Sequence, residues 1–211
     1  MKPAFFFLLR HGQTDWNKEA RLQGSTDIAL NDHGKEQALL AAEKLSSQAC
    51  RYILTSPLTR ARQTAEIVAS QLGLAVQIDQ RLTERHFGAF EGMTIEEVLE
   101  ARKAMLPSMN PEPDLDGMHY PKNAETITEV YQRIHPLLDD IKDQDGVLLV
   151  SHGIPFRLIT KIILGQMHSS PNASPVRFDN SSGLYEMVIL DPDRPPVTAQ
   201  TFTGPTTMGR L

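Results

Sequence analysis

Ala4-Phe5-Phe6-Phe7-Leu8-Leu9-Arg10-His11-Gly12 is the stretch on which the fold turns. An unbroken apolar run ends abruptly in an arginine, a histidine and a glycine. A run this short and this apolar fits a strand buried on both faces, as in parallel sheets. It is far too short to span a bilayer. It has the apolarity of a signal-peptide core, but Arg10-His11 stand where the small residues of a cleavage site belong. The strand reading puts Arg10, His11 and Gly12 just past a strand end.

The same pattern recurs along the chain. Tyr52–Thr55 reads as a short strand, followed by Ser56-Pro57 and by Arg60 in the first turn of a helix. Val147–Ser151 reads as a strongly apolar strand, followed by His152 and Gly153. Helices fill the intervals. Asn31 can cap one running to about Ser47, with apolar Ala38, Ala41, Leu45 and Ala49 spaced three or four apart. Leu58, Ala61, Ala65, Val68 and Leu72 mark the next, with Gly73 past its end. Residues 76–78 are a short strand candidate. Thr94-Ile95-Glu96-Glu97 is a capping box that opens a helix to about Met105. Ile127, Val130, Ile134, Leu137 and Ile141 define a long helix that Pro136 should kink. Phe156, Ile159 and Ile163 define another. Residues 184–190 and 197–202 read as late strands.

Strands alternating with helices predict a three-layer α/β/α sandwich with a mainly parallel central sheet. The expected organisation is one domain over residues 1–211, with an inserted segment at about 91–124. That segment holds Pro107, Pro111, Pro113 and Pro121. It reads either as a rim or lid or as a plain surface connection.

The chain has 211 residues, of which 40% are hydrophobic and 22% charged, enough for one domain with a full core. Cys50 is the only cysteine, so no internal disulfide can form, which fits a cytoplasmic protein. A net charge of -5 argues against nucleic acid as a partner, and no segment predicts a membrane span. Oligomeric state stays open.

In open parallel sheets, ligands sit beyond the carboxyl ends of the strands. Arg10-His11, Ser56 with Arg60, and Ser151-His152 leave the same edge, so two arginines and two histidines can meet there. Each alone has an ordinary explanation as a turn, a cap or a solvated residue. Together they crowd like charge into a cleft, which is unfavourable unless an anion belongs there. Paired guanidinium forks suit a phosphate.

These segments resemble a known family. Leu9-Arg10-His11-Gly12-Gln13-Thr14-Asp15-Trp16-Asn17 is similar to the signature of the histidine phosphatase superfamily, which includes the cofactor-dependent phosphoglycerate mutases. Thr55-Ser56-Pro57-Leu58-Thr59-Arg60-Ala61-Arg62-Gln63-Thr64-Ala65 resembles its second motif. Leu82-Thr83-Glu84-Arg85-His86-Phe87-Gly88 with Phe90-Glu91-Gly92 resembles the third, and Val150-Ser151-His152-Gly153 the fourth. The resemblance implies that His11 is the nucleophile and becomes phosphohistidine. It implies that Arg10, Arg60 and His152 hold the phosphoryl oxygens and that Glu84 is the proton donor. Asn17, Gln23, Gly24 and Gly153 would line the site, and Arg85 could take a carboxylate or second phosphate.

Residue chemistry agrees with these roles. A neutral imidazole can approach a phosphate dianion without repulsion, and a backbone carbonyl is expected to fix the tautomer of His11. His152 is expected to be protonated. Glu84 must carry a proton for the leaving group and lose it to activate water, with burial and nearby arginines pulling its pKa in opposite directions. No metal and no cofactor are expected, since His11 and His152 lack zinc-motif spacing. The expected partner is a small phosphorylated metabolite.

Phosphatase and mutase share this pocket. Glu84-Arg85-His86-Phe87-Gly88 is close to the mutase form of the third motif. Against a mutase, Ile95 stands where its pattern has a lysine. No adjacent arginine pair lies between Lys103 and Arg133, and the chain is short for that subclass. The phosphatase is the favoured reading and the mutase its alternative. Arg102, Lys103 or Lys122 could substitute if their segment covers the pocket. A protein phosphohistidine phosphatase and a non-catalytic phosphate-binding module are the remaining readings.

Overall fold

A strand buried on both faces must have neighbours on both edges and helices above and below. β1 (Phe5–Arg10) meets that requirement in a computed structural model, which describes residues 5–105, 109, 113, 118–180 and 185–190. It lies inside a six-stranded sheet of order β3-β2-β4-β1-β5-β6. The other strands are β2 (Tyr52–Thr55), β3 (Ala75–Ile78), β4 (Val147–Ser151), β5 (Val176–Asp179) and β6 (Glu186–Ile189). β3, β2, β4 and β1 run parallel. β5 pairs antiparallel with β1, and β6 with β5. The mainly parallel sheet read from the sequence is therefore the observed one. β5 was not foreseen; Val-Arg-Phe-Asp is short and buries only alternate residues. Residues 186–189 fall inside the predicted late strand, whereas 197–202 lie outside the described residues.

The period of two along each strand sorts its side chains into two cores. Phe6, Leu8, Leu54, Val147 and Leu149 face one helical layer. This layer contains α5 (Ile127–Ile141) and α6 (Gly153–Leu164). Phe7, Leu9, Ile53, Leu148 and Val150 face α2 (Asp32–Leu45) and α3 (Thr59–Leu72). Ile127, Val130, Ile134, Leu137 and Ile141 are all buried, as their spacing predicts, and α5 runs unbroken through Pro136. Asn31 caps α2 by accepting from the Gly34 amide. The Thr94 capping box is formed with Glu97 at the head of α4 (Ile95–Met105). A one-turn helix, α1 (Asp15–Lys18), follows the β1 loop.

One close approach fixes that loop. A Cβ on Gly12 would lie 2.3 Å from the Gly34 carbonyl oxygen. Only glycine lets the start of α2 press against the backbone beside His11.

A third, smaller core carries the middle segment. Phe87, Phe90, Val98, Met109, Tyr120 and Ala124 are buried together, with Met93 and Met105 packed against them. Met93, Met105 and Met109 fill gaps in this core.

Candidate active site

β1 and β4 are neighbours in parallel register, with Arg10 opposite Ser151. β2 lies on the other side of β4, with Thr55 opposite Val150. The three strand ends therefore emerge side by side. The His11 amide donates to the Ser151 carbonyl at 2.9 Å, and the Ser56 amide to the Val150 carbonyl at 3.1 Å. The rings of His11 and His152 come within 5.1 Å, centroid to centroid.

A cavity of about 220 Å³ opens over these ends. Arg10, His11, Asn17, Gln23, Gly24, Arg60, Glu84 and Gly153 all line it. These positions were expected at the site. Two expected residues are placed otherwise. Arg85 does not line the cavity: its Nε donates to the Glu125 carbonyl at 2.6 Å and its guanidinium lies 4.0 Å from the Tyr120 ring centroid. It is a buried cation stacked in the third core. His152 sits behind the cavity wall. Its Nδ1 accepts from Arg60 Nε at 3.2 Å, and its Nε2 lies 2.7 Å from Ser56 Oγ. A nitrogen that accepts from a guanidinium carries no proton, so this imidazole is neutral, not protonated as expected. Burial, then the Arg60 charge, pushes its pKa well below the usual histidine range.

His11 is buried. Its Nδ1 lies 2.7 Å from the Gly12 carbonyl, which can only accept. Nδ1 therefore holds the proton, and Nε2 keeps a lone pair. Burial first, then the Arg60 and Arg10 charges, hold its pKa well below the usual range. Asn172, a residue that no sequence motif marks, donates to the His11 carbonyl at 2.8 Å.

Arg60 is wholly buried. It enters from the first turn of α3, whose end is capped by Asp27: the Thr59 amide and hydroxyl each donate to that carboxylate at 2.7 Å. Arg60 Nη1 donates to the Thr26 carbonyl at 2.8 Å and Nη2 to the Gly24 carbonyl at 2.6 Å. Gly24 adopts φ +54°, in the left-handed region, and a Cβ there would strike the Glu91 carboxylate. Arg10 Nε and Gln23 Oε1 are buried without a hydrogen-bond partner. The Arg10 Nε donor suits an anionic ligand oxygen, whereas Gln23 Oε1 can only accept, as from a ligand hydroxyl.

Glu84 is held by the first turn of α6. Its Oε2 accepts from the Gly153 amide at 2.9 Å, and its Oε1 from the Ile154 amide at 3.2 Å and the Arg85 amide at 2.9 Å. Burial nevertheless wins, and its pKa is raised, against the pull of the Arg85 amide, Arg60, Arg10 and the Ile154 amide.

Leu22, Phe87 and Ile154 give the cavity apolar wall, and Arg21, Arg157, Ser169 and Ser170 complete much of the rest. None of these was singled out from the sequence. Among the described residues of 91–124, none lines the cavity, so Arg102, Lys103 and Lys122 do not reach it. Among the described residues no group of three histidine, cysteine or acidic side chains is arranged to hold a metal. None of the described helices is long and apolar enough to cross a membrane.

The geometry defines a cleft lined by cationic and polar side chains at the strand ends of an α/β sandwich. A sequence model of the histidine phosphatase superfamily (branch 1) matches residues 6–190, and the chain belongs to that family of phosphatases and mutases. A probable phosphoglycerate mutase GpmB of Cronobacter sakazakii is 36% identical over 165 residues, covering 75% of this chain and 74% of the relative. Its counterpart in Photorhabdus laumondii is 34% identical over 165 residues, with the same coverage. Among solved structures, a mycobacterial glucosyl-3-phosphoglycerate phosphatase in complex with VO3 superposes with a TM-score of 0.72 at 29% identity, covering 83% of this chain and 91% of that one. Bacillus stearothermophilus YhfR gives 0.73 at 26% identity, over 88% and 95%.

Proposed function

We propose that the protein is a phosphatase that hydrolyses a small phosphorylated metabolite through a phosphohistidine on His11. The observation that carries this reading is the 2.7 Å bond from His11 Nδ1 to the Gly12 carbonyl, which leaves Nε2 as a neutral nucleophile in a cleft shared with two arginines.

In the first step the Nε2 lone pair attacks phosphorus and the ester P–O bond breaks. Glu84 gives its proton to the departing oxygen. Arg10 and Arg60 balance charge on the equatorial oxygens, and positioning is most of the catalysis. His152 acts on the phosphoryl group through Arg60, whose Nε it holds. In the second step Glu84, now ionised, takes a proton from water. The hydroxide attacks phosphorus, the N–P bond breaks, and phosphate leaves with His11 neutral and Glu84 protonated again. No step draws on a metal.

A second reading, phosphoryl exchange on a phosphoglycerate, is favoured by the names of the 34–36% identical relatives. The deciding experiment incubates the pure protein with EDTA and follows two reactions. One is phosphate release from nitrophenyl phosphate, sugar phosphates, nucleotides and 3-phosphoglycerate. The other is interconversion of 3- and 2-phosphoglycerate with the bisphosphate present. Phosphate release with negligible interconversion is expected, as is an acid-labile phosphoenzyme missing from His11→Ala. Fast interconversion with little phosphate release makes the protein a mutase. Full turnover by His11→Ala removes both readings.

A further inference from the structure

Most of the cationic groups around the cavity are already engaged. Arg60 is bonded to two carbonyls and to His152. Arg21 is paired with Glu19 at 2.7 Å and donates to the Gly92 carbonyl at 2.9 Å. Arg157 differs. It lines the cavity, it is half-buried, and its guanidinium has no hydrogen-bond or ion-pair partner among the described residues. A charged fork held partly out of water with no counter-charge is costly, and a ligand anion would relieve that cost.

Its place on α6 says which part of the ligand it meets. Gly153 and Ile154 present their amides to the Glu84 carboxylate, so the start of α6 marks where the leaving oxygen must sit. Arg157 is four residues after Gly153, on the same helix face and about 6 Å further along the axis. Leu22, Phe87 and Ile154 supply apolar wall to the same cavity. The transferring phosphoryl group lies at the His11 end. Arg157 therefore faces the alcohol part of the substrate, beyond the ester oxygen.

We infer that Arg157 is the specificity-determining residue of this site and selects phosphomonoesters whose alcohol part carries a second anionic group, a carboxylate or a second phosphate. The inference rests on the phosphoryl group binding at Arg10, His11 and Arg60 as proposed above. It adds what the leaving group must look like. A neutral sugar or an unsubstituted aryl group would leave the guanidinium without a counter-charge.

The test compares substrates matched except for that charge. 3-Phosphoglycerate is set against glycerol 3-phosphate for the carboxylate, and glucose 1,6-bisphosphate against glucose 6-phosphate for the second phosphate. The readout is the ratio of kcat/KM within each pair. In the natural protein at least one pair favours the anionic member. In Arg157→Gln that ratio falls roughly 10- to 100-fold, the range for one charge-assisted contact, and Arg157→Lys retains part of it. Equal ratios in natural and variant protein overturn the inference. So does an equal loss on both members, which would make Arg157 part of the general phosphoryl site. Calorimetric binding of the same pairs to His11→Ala gives a readout independent of turnover. A preference for the anion that vanishes with Arg157→Gln in that background, from a protein that hydrolyses nothing, would sink the phosphatase reading and keep this one.

Discussion

A carboxyl group that gives and takes a proton works best with a pKa above the usual carboxylate range, and competing forces leave Glu84 raised. Burial raises it, while the Arg85 amide, the two arginines and the Ile154 amide lower it, and burial prevails. The neutral acid thus persists above the ordinary glutamate range, and kcat/KM for a poor leaving group should fall as pH rises through the shifted value. Glu84→Gln is expected to lose roughly 100- to 10,000-fold on an alkyl phosphate, the usual contribution of a general acid. It should lose much less on nitrophenyl phosphate, whose leaving group needs little protonation. The basic limb of the pH profile should disappear in the variant. Equal losses on both substrates, or a surviving limb, would remove Glu84 from the acid role. This residue was legible in the sequence because the family's third motif singles it out. Arg85, its neighbour in that motif, was misplaced for a physical reason. Consecutive side chains leave the chain on different sides, and the next one along found a carbonyl and an aromatic ring to satisfy its charge.

Strand ends carry chemistry here because elements hold them, and the least visible of those holds is a carboxylate. Glu91 accepts from the amides of Ser25 (2.9 Å), Thr26 (3.0 Å) and Phe87 (3.0 Å), from the Thr26 hydroxyl (2.5 Å), and lies 2.7 Å from His86 Nδ1. Those bonds tie the loop bearing Gly24 and Thr26 to the turn after Phe87, and the carbonyls of Gly24 and Thr26 hold Arg60. Hydrogen bonding by this set keeps Glu91 ionised despite its burial, and its pKa is lowered. Glu91→Ala strands several amide donors at once, so a loss of about 2 kcal/mol or more in urea unfolding is expected. kcat/KM should fall on every phosphomonoester alike, because Arg60 loses its seat; activity within twofold of the natural protein would contradict this. The sequence could mark Glu91 only as part of a motif, since its Ser25 and Thr26 partners lie 66 and 65 residues away. Long apolar elements were legible from their periods, as β1, β4 and α5 show. Arg157 and Asn172 were not: an arginine on a helix and an asparagine in a turn are ordinary until the fold puts one in the cleft wall and the other on the His11 carbonyl.

The whole molecule is acidic, with a formal charge of -5, yet it folds a cationic cleft around two uncharged imidazoles. That arrangement should appear in the pH dependence of stability. In the unfolded chain His11 and His152 take up protons as pH falls below about 6.5. In the folded chain burial and the charges of Arg60 and Arg10 hold both neutral well below that value. The unfolded state then binds more protons, so acidification destabilises the fold. Glu84 has the opposite sign. Its raised folded value means that the native state takes up its proton first as pH falls, so acidification favours folding until the unfolded carboxyl also protonates. Two imidazoles against one carboxyl give a net fall in stability between pH 7 and pH 5.5, at most about 2.5 kcal/mol. Thermal unfolding in buffers free of phosphate is the measurement, with a drop of about 2–4 °C for each kcal/mol lost. Replacing either imidazole by an uncharged amide, His11→Gln or His152→Gln, should flatten the slope whatever it does to the midpoint itself. A slope the same in both variants as in the natural protein would mean that these histidines do take up protons in the fold. The neutral nucleophile proposed at His11 would then lose its physical basis.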